Sequence, residues 1–384
     1  MEPVLCNFED VKVLVSDIIL KHNLINISDI KYNSGDDVKR GFSSNTVAVN
    51  ILGENEERKQ YTTHLWIKYI SDYIHIAKLS MDKLYLNEIY FYNTIHPAYV
   101  KLLDDKNIED GFRNTANFFG SLPKGMLALE NLNYTGYRVS EEVEDIGIEL
   151  VFRTYAKFHA LSFVFKEQER DQCEEFRRNL FDFYQLGAKK AGIDKQVRYC
   201  IGEFLRQLHP MEDKDILDKF NVEELIRHIL DPEKYATENA ILTQGDCWYR
   251  NVLFLYQDED QKNPIDMKLV DWQMIRFASP VYDLSYYFYP IASPEVLNNL
   301  QHYLQVYHEE LSRQIEKLGN DPKILYPYED FAKEWQEHSK YGFAMSSIIV
   351  KITLNKIKDV WARQEQYSER MKLLAKHFID NNFV

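Results

Sequence analysis

The spacing of apolar residues changes along the chain, and this change constrains the fold more than any other feature. Short apolar runs, such as residues 46–51 and 64–70, lie in the first third and are typical of strands. From about Asp145 to about Phe378, apolar residues recur mostly at helical spacing. A sheet-rich beginning followed by a helix-rich remainder predicts an α+β fold with two lobes.

Individual segments refine this layout. We predict a first amphipathic helix at residues 9–24, a helix at residues 81–96 and a short strand at residues 126–130. These boundaries divide the chain into an N-terminal lobe at residues 1–130 and a C-terminal lobe at residues 131–384. Further helices are predicted at residues 146–165, 167–189, 194–208 and 212–230. A pair of strands interrupts them, at residues 252–256 and 267–270.

Composition argues against several classes of partner. The net charge of −14 and the pI near 5.3 disfavour binding to nucleic acid or to anionic lipid. The amino terminus lacks the pattern of a signal peptide, and the most apolar later stretch, residues 343–354, is too short and polar to span a bilayer. The scattered cysteines indicate neither a zinc site nor a disulfide framework. We therefore expect a cytoplasmic protein without a membrane, nucleic-acid or obligate protein partner.

Residues 243–254 have the spacing of a phosphotransferase catalytic loop. Asp246 is followed five residues later by Asn251 at the start of an apolar strand, and Asp271 ends a second apolar run. Phosphoryl transfer needs a carboxylate near the acceptor hydroxyl and oxygen ligands for the Mg²⁺ that screens the triphosphate of ATP. This order predicts Asp246 as the catalytic base, with Asn251 and Asp271 as metal ligands. The alternative is that both aspartates are ordinary turn residues.

A lysine and a glutamate upstream fit the same chemistry. Lys68 lies within an apolar strand, and Glu88 follows twenty residues later on a predicted helix. A buried lysine is costly unless it is paired, and kinases use a strand lysine paired with a helix glutamate to hold nucleotide phosphates. The alternative is an edge-strand lysine that points to water. The downstream aspartates favour the functional interpretation.

The segment from Gly35 to Ser44 is the candidate for a loop that covers the phosphates. Gly41, Ser43 and Ser44 could offer backbone N–H groups and hydroxyls, although a plain turn is an equally good interpretation. Neither a G-x-G-x-x-G nor a G-x-x-x-x-G-K-[ST] motif occurs, which excludes a P-loop ATPase. The absence of G-x-S-x-G and H-E-x-x-H gives no support to a serine hydrolase or a zinc protease.

Together these motifs resemble the ecdysteroid kinase-like family, which belongs to the aminoglycoside phosphotransferase and choline kinase superfamily. The resemblance rests on Gly-Asp-x-Trp at residues 245–248, Val-Asp-Trp-Gln at residues 270–273 and Pro-x-x-Asp-Leu at residues 280–284. Leu-Glu-Asn-Leu at residues 129–132 is similar to the hinge motif of the family, and Lys-Phe-His-Ala at residues 157–160 to its helix signature. The resemblance spans nearly the whole chain and implies a two-lobed protein-kinase-like fold.

The resemblance also implies roles for residues of the N-terminal lobe and the hinge. Lys68 would bind the nucleotide phosphates, and Glu88 would orient Lys68. Backbone groups at Glu130, Asn131 and Leu132 would hold the adenine of ATP. The roles of the base and of the metal ligands match those predicted above from spacing.

Two positions depart from the family pattern. Gln244 stands where the family usually has His, and Asn131 replaces the usual hinge Asp. Because a Gln amide can both donate and accept hydrogen bonds, we expect Gln244 to brace the loop as His would, with reduced or retuned activity at worst. We interpret Asp283 as a helix-starting residue that also ties down the catalytic loop, and His159 as a structural residue.

The resemblance implies an ATP- and Mg²⁺-dependent kinase of a small-molecule alcohol, with an ecdysteroid 22-hydroxyl as the leading acceptor. A kinase of dietary or xenobiotic alcohols is the sibling interpretation. A catalytically silent nucleotide-binding module is the alternative from another class. The aromatic residues after Asp283 would either suit a large apolar acceptor pocket or simply fill a helical core.

Overall fold

The computed structural model describes residues 6–33, 45–54, 59–70, 81–140, 144–257 and 263–384. Strands dominate its first part and helices its later part, so the predicted α+β class with a sheet-rich N-terminal lobe and a helical C-terminal lobe is confirmed. The division between residues 130 and 131 stays a prediction. The strands are β1 (Ile25–Asn33), β2 (Asn45–Glu54), β3 (Gln60–Tyr69), β4 (Phe118–Leu122), β5 (Met126–Glu130), β6 (Ile241–Thr243), β7 (Val252–Tyr256), β8 (Pro264–Leu269) and β9 (Arg276–Ala278).

The helices follow the predicted order but differ in length. Those up to β6 are α1 (Phe8–Lys21), α2 (Met81–Tyr90), α3 (His96–Asp105), α4 (Ile148–Gln168), α5 (Arg170–Asn179), α6 (Phe183–Leu186), α7 (Ala188–Ala191), α8 (Ile193–Leu205), α9 (Lys214–Lys219), α10 (Val222–Leu230) and α11 (Pro232–Tyr235). Those after β9 are α12 (Val281–Ile291), α13 (Pro294–Asn298), α14 (Leu300–Lys317), α15 (Pro322–Leu325), α16 (Tyr328–His338), α17 (Lys340–Leu354) and α18 (Val360–Asp380).

The strands of the N-terminal lobe form one antiparallel sheet in the order β1-β2-β3-β5-β4. Because side chains alternate along a strand, Leu65 and Ile67 of β3 face one side of the sheet and Lys68 faces the other. Helix α1 covers the first side, where Val11 and Ile18 pack with Leu65 and Ile67. The side that carries Lys68 is turned toward the C-terminal lobe.

The helix predicted at residues 81–96 is longer and less regular than its periodicity indicates. It begins as α2, widens into a π-helical turn at Phe91–Ile95 and continues as α3. The ring of Phe91 stacks on that of Trp272, with 3.9 Å between the ring centroids. This stacking joins the long helix to the segment that directly follows Asp271.

Two predicted helical stretches are broken in the structure. Residues 167–189 divide into α5, α6 and α7, and residues 212–230 divide into α9 and α10. The second break has a local cause, because the side chain of Asn221 accepts hydrogen bonds from the backbone N–H groups of Glu223 and Glu224 and so begins a new helix. Strands β4, β6 and β9 were not predicted: β6 and β9 have three residues each, too few to show an alternating pattern, and β4 contains Gly120, which is uncommon in strands.

The aromatic residues of α12 fill the core, which decides between the two interpretations given for them. The four that follow Asp283 are at most 3% exposed: Tyr286, Tyr287, Phe288 and Tyr289. Helix α12 packs closely on α17 at Gly342, where an added Cβ would lie 2.4 Å from the carbonyl oxygen of Ser285. These side chains therefore support the fold rather than line an apolar acceptor pocket.

Two further observations concern the described residues as a whole. No helix among them has the length and apolar character needed to cross a membrane.

The four cysteines are free and buried. Burial raises the pKa of Cys247, which adjoins Asp246, so its thiol stays protonated and is a poor nucleophile.

Candidate active site

Lys68 forms the contact that joins the two lobes at the candidate site. Its Nζ donates to Oε2 of Glu88 at 2.7 Å and to Oδ1 of Asp271 at 3.1 Å. Lys68 is 7% exposed and Glu88 is fully buried. The structure therefore brings together three of the residues selected from sequence, taken from a strand, a helix and a turn.

Charge explains why the buried lysine keeps its proton. Burial opposes the ammonium form, but the carboxylates of Asp271 and Glu88 outweigh it and raise the pKa of Lys68. Burial also raises the pKa of Glu88, against the attraction of Lys68. Oε1 of Glu88 is buried without a hydrogen-bond partner among the described residues, so this carboxylate is stabilised at Oε2, by Lys68 and by a longer hydrogen bond from Nε2 of Gln273 at 3.5 Å.

A strained turn presents Asp271 at the edge of the C-terminal lobe. Its backbone lies in the left-handed region at φ 65°, which is uncommon for a residue other than glycine. The fully buried Trp272 anchors the short 3₁₀ turn that follows. The side chain of Asp271 is 32% exposed. The turn thus holds one carboxylate oxygen on Lys68 while the carboxylate remains open to an incoming group.

Asp246 lies in the loop after β6 with both carboxylate oxygens hydrogen-bonded. Nδ2 of Asn251 donates to its Oδ2 at 2.9 Å, and the hydroxyl of Tyr286 donates to its Oδ1 at 3.1 Å. Burial and the nearby carboxylate of Asp271 raise the pKa of Asp246 to about 7. The side chain remains partly exposed, so an acceptor hydroxyl can approach it. A carboxyl group with a pKa near 7 is suited to accept a proton at neutral pH.

Asn251 uses only one end of its amide in these contacts. Nδ2 also donates to the backbone carbonyl of Asp246 at 2.9 Å, which fixes the side chain. Its Oδ1, the atom that a hard cation prefers, takes no part in either bond. No group of three His, Cys, Asp or Glu side chains within the described ranges could hold a metal ion. A cation here would rest on Asn251 and Asp271, together with oxygens from a ligand.

Asp283 holds the start of the catalytic loop. Its two carboxylate oxygens accept from the backbone N–H groups of Gln244 at 2.7 Å and Gly245 at 3.0 Å. Nε2 of His159 lies 3.2 Å from the same carboxylate, and Nδ1 of His159 lies 3.0 Å from the hydroxyl of Tyr307. The interpretation of Asp283 as a residue that ties down the loop, and of His159 as structural, is confirmed.

Gln244 braces the loop from both ends of its amide. Its Oε1 accepts from the hydroxyl of Tyr155, and its Nε2 donates to the carbonyl oxygen of Val270 at 2.7 Å. The second bond connects the catalytic loop to the residue before Asp271. A glutamine at this position therefore satisfies a donor and an acceptor at once, as its chemistry suggested.

Gly245 is required where the loop passes the turn after Asp271. Its φ of 83° lies in the left-handed region, and an added Cβ would lie 2.0 Å from the carbonyl oxygen of Met274. Only glycine avoids both the backbone strain and this overlap. The close contact between Gly245 and the carbonyl of Met274 fixes the distance between the loop that carries Asp246 and the turn that carries Asp271.

The hinge residues Glu130, Asn131 and Leu132 are fixed by contacts with neighbouring segments of the chain. The carboxylate of Glu130 accepts from Nδ2 of Asn117 at 2.8 Å, and the backbone N–H of Asn131 donates to the carbonyl of His64 at 2.9 Å. Oδ1 of Asn131 turns back to accept from the N–H of Asn133. The buried Leu132 then begins a 3₁₀ turn. Oδ1 and the backbone N–H of Asn131 are therefore engaged within the protein.

An aromatic shelf lies beside the hinge, on the Lys68 side of the sheet. The rings of His64 and Tyr134 stack at 3.6 Å with 6° between their planes, and Tyr134 is 52% exposed. Nδ1 of His64 lies 2.7 Å from Oδ1 of Asn50. His64 shares a sheet face with Lys68 because they lie four residues apart on β3.

The loop candidates Gly41, Ser43 and Ser44 lie outside the described residues. Tyr286 and Tyr184 were missed from sequence, although both contact the catalytic loop. The hydroxyl of Tyr184 donates to the carbonyl oxygen of Gly245 at 2.9 Å. Tyr184 also borders a cavity of about 390 Å³, whose lining combines the apolar Ile226 and Leu230 with charged residues such as Lys189, Arg227 and Asp231. Tyr286 could have been found, because it follows Asp283 by three residues on one helix and so lies on the same face.

Comparisons with known proteins agree with the motifs. The sequence model of the ecdysteroid kinase-like family matches residues 39–320, well over half of the chain. No curated protein matches the chain significantly. Among solved structures, an ethanolamine kinase from Plasmodium vivax is 13% identical with a TM-score of 0.44, covering 100% of this chain and 92% of that one.

Two antibiotic phosphotransferases are also similar in structure. A GDP complex of an aminoglycoside 2′-phosphotransferase-IIIa mutant is 11% identical with a TM-score of 0.38, covering 98% of this chain and 99% of that one. A macrolide 2′-phosphotransferase type I is 12% identical with a TM-score of 0.34, covering 97% of this chain and 98% of that one.

Proposed function

The chain belongs to the ecdysteroid kinase-like family and is therefore a phosphotransferase with a small-molecule alcohol as acceptor, and we propose that it uses ATP and Mg²⁺. The observation that carries the proposal is the position of Lys68 between Glu88 and Asp271, next to the loop of Asp246. A buried ion pair of this kind is costly to keep for stability alone. Its residue types are those that phosphoryl transfer requires.

Asp246 would act on the acceptor. Its carboxylate would accept the proton of the acceptor hydroxyl while the hydroxyl oxygen forms a bond to the γ-phosphorus. The bond from that phosphorus to the bridging oxygen of ADP would break, and its electron pair would stay on ADP. Tyr286 and Asn251 would hold the carboxylate in place, because each donates a hydrogen bond to one of its oxygens.

The donor set around Asp271 fits Mg²⁺. Nζ of Lys68 contacts the carboxylates of Glu88 and Asp271, and the carboxyl group of Asp246 lies nearby. Three acidic side chains around one ammonium group give the region an excess of negative charge. Mg²⁺ typically takes one or two carboxylate oxygens together with substrate phosphates and water. When bound by Asp271 and Oδ1 of Asn251, it would neutralise charge on the triphosphate.

The nucleotide would lie between the hinge and Lys68. Lys68 would contact the phosphates, and the backbone of Glu130, Asn131 and Leu132 would face the base. The shelf of His64 and Tyr134 offers an exposed aromatic surface at the same end of the site. Aromatic stacking of this kind is favourable for a flat heterocycle.

For the acceptor we propose an ecdysteroid, phosphorylated at its 22-hydroxyl, with the cytosol as the compartment. Family membership supports this choice, and the free, buried cysteines suit a reducing compartment. A dietary or xenobiotic alcohol is the second candidate within the same family.

The proposal is tested by Mg²⁺-dependent release of ADP from ATP by the purified protein in the presence of different alcohols. The panel contains ecdysone, 20-hydroxyecdysone, choline, ethanolamine, plant phenols and glycosides, with Asp246→Asn as the control. Turnover with a steroid that is lost in the control supports the ecdysteroid kinase, and turnover only with the other alcohols supports the second candidate. Binding of ATP without turnover for any acceptor would contradict both and favour a silent module.

A further inference from the structure

Arg276 is a buried cation without a conventional partner. It lies on β9 and is 1% exposed. Its guanidinium nitrogens Nε, Nη1 and Nη2 make no hydrogen bond in the described part of the chain. A buried arginine normally forms several hydrogen bonds or pairs with a carboxylate, because burial removes its five N–H donors from water.

Four tyrosine rings enclose this guanidinium. Its Cζ lies 3.9 Å from the ring centroid of Tyr184, 4.4 Å from that of Tyr235, 5.2 Å from that of Tyr282 and 5.4 Å from that of Tyr341. We call these four residues the tyrosine cage. The faces of aromatic rings carry negative charge density, so the cage attracts the guanidinium, to which the carboxylate of Asp182 adds a longer-range attraction.

The first connection from Arg276 to the catalytic loop is short. Arg276 pairs with Thr243 across β9 and β6, and the hydroxyl of Thr243 donates to the carbonyl oxygen of Arg276 at 3.0 Å. Tyr184, which lies against the guanidinium, donates its hydroxyl to the carbonyl oxygen of Gly245. The arginine therefore contacts the loop through its own backbone and through one cage tyrosine.

A second connection reaches Asp246 itself. Tyr341 of the cage donates its hydroxyl to that of Tyr184 at 3.0 Å and packs edge-on against Tyr286, with 5.8 Å between the ring centroids. Tyr286 donates to Oδ1 of Asp246. Two cage residues, Tyr184 and Tyr341, thus connect the guanidinium of Arg276 to Gly245 and, through Tyr286, to Asp246.

Stability does not explain the arrangement. Replacing a buried charge by an apolar side chain of similar volume is often neutral or stabilising, and here the guanidinium lacks a hydrogen-bond partner among the described residues. A feature that costs stability and lies beside an active site is commonly retained for function. The geometry points to such a function, because both connections end on the catalytic loop.

We propose that Arg276 is a positioning residue that, through the tyrosine cage, holds the catalytic loop from Thr243 to Asp246 in its productive conformation. The inference about the loop rests on contacts of this structure, and its consequence for turnover rests on the proposed function. Small displacements of a catalytic group are expensive, so turnover should fall by about 10- to 100-fold when the cage loses its centre.

The test compares Arg276→Met with the parent protein. We expect Arg276→Met to melt at the same temperature or higher, while amide hydrogen exchange of the peptide that spans residues 243–251 becomes at least about tenfold faster. Arg276→Lys, which keeps a cation in the cage, should restore part of the protection. Arg370→Met, at a half-buried arginine that donates to the carbonyl of Tyr289, is the control and should leave that peptide unchanged.

Hydrogen exchange separates this inference from the proposed function, because it requires no acceptor. If the parent protein proves inactive with every alcohol, the proposed function fails and the exchange result still decides the role of Arg276. Tyr184→Phe removes one hydroxyl and provides the second variant if Arg276→Met does not fold. Unchanged exchange of residues 243–251 in whichever of these two variants folds would overturn the proposal, and so would a faster exchange spread evenly over the whole chain.

Discussion

Nζ of Lys68 and Oδ1 of Asp271 lie 3.1 Å apart although 203 residues separate them in the chain. Together with Glu88, they place one cation between two carboxylates at the boundary of the sheet and the helices. The contact requires the register of β3, the position of α2 and the turn after β8 to agree. It therefore reports on the assembly of the whole candidate site.

The first prediction separates the structural and functional roles of this contact. Lys68→Met leaves the buried carboxylate of Glu88 with only a long hydrogen bond from Nε2 of Gln273 at 3.5 Å, so we expect a loss of about 3–5 kcal/mol in the free energy of unfolding and no detectable turnover. The double variant Lys68→Met/Glu88→Leu removes the unpaired charge as well and should recover most of the stability but no activity. Urea unfolding and ADP release measure the two quantities. Recovery of turnover in the double variant would show that the pair has only a structural role.

Gly245 provides a prediction about backbone geometry. Gly245→Ala places a Cβ against the carbonyl of Met274 and forces alanine into a left-handed conformation. We expect turnover to fall by about 100-fold or more as the loop of Asp246 moves away from the turn of Asp271. Gly192→Ala is the matched control, because Gly192 also has a positive φ and nothing lies within 4 Å of its added Cβ. Equal activities in the two variants would show that the close approach is unimportant.

Substitution of Gln244 tests whether the native catalytic loop is fully active or impaired. Because its amide already satisfies Tyr155 and the carbonyl of Val270, we expect Gln244→His to change turnover by less than about threefold. Gln244→Leu leaves both partners unsatisfied and should destabilise the protein by about 1–3 kcal/mol. Steady-state turnover and thermal melting provide the two readouts. A large gain in turnover for Gln244→His would mean that the native loop is impaired.

How much of this site the sequence could predict depends on whether a signal is local. The spacing of Asp246, Asn251 and Asp271 is local, and Lys68 and Glu88 each carry the period of a strand or a helix. We expected these five residues to lie close together because kinase-like folds bring such a strand, helix, loop and turn to one site.

The remaining contacts come from long-range packing. Nothing in the local pattern shows that Tyr184, Tyr235 and Tyr341 converge on Arg276, since these residues lie on separate helices. The helix breaks within residues 167–189 and 212–230 also follow from capping and packing rather than from periodicity. Sequence patterns therefore predict the chemistry of the site better than the residues that support it.

A prediction about pH concerns His377, which is 8% exposed on α18. Burial lowers the pKa of His377 to about 4, below the value of about 6.5 for an unfolded histidine. Between these values the unfolded chain binds a proton that the native protein does not, so stability falls as the pH drops below about 6.5. His377→Phe removes this penalty.

The expected result is that His377→Phe becomes more stable relative to the parent protein as the pH is lowered from 7.5 to 5.5. Thermal melting at several pH values measures the difference, and a difference that stays constant with pH would contradict the lowered pKa. Comparing the two proteins at each pH cancels the contributions of the other titrating groups that both proteins share.

The central claim is that Asp246 serves as the base in phosphoryl transfer to an alcohol. The most direct measurement is mass spectrometry of the acceptor after incubation with the protein, ATP and Mg²⁺, comparing the parent with Asp246→Asn at equal concentrations of folded protein. The account predicts a phosphorylated acceptor with the parent and at least about a 100-fold slower formation with Asp246→Asn. Phosphorylated acceptor formed at equal rates by both proteins, or by neither, would contradict it.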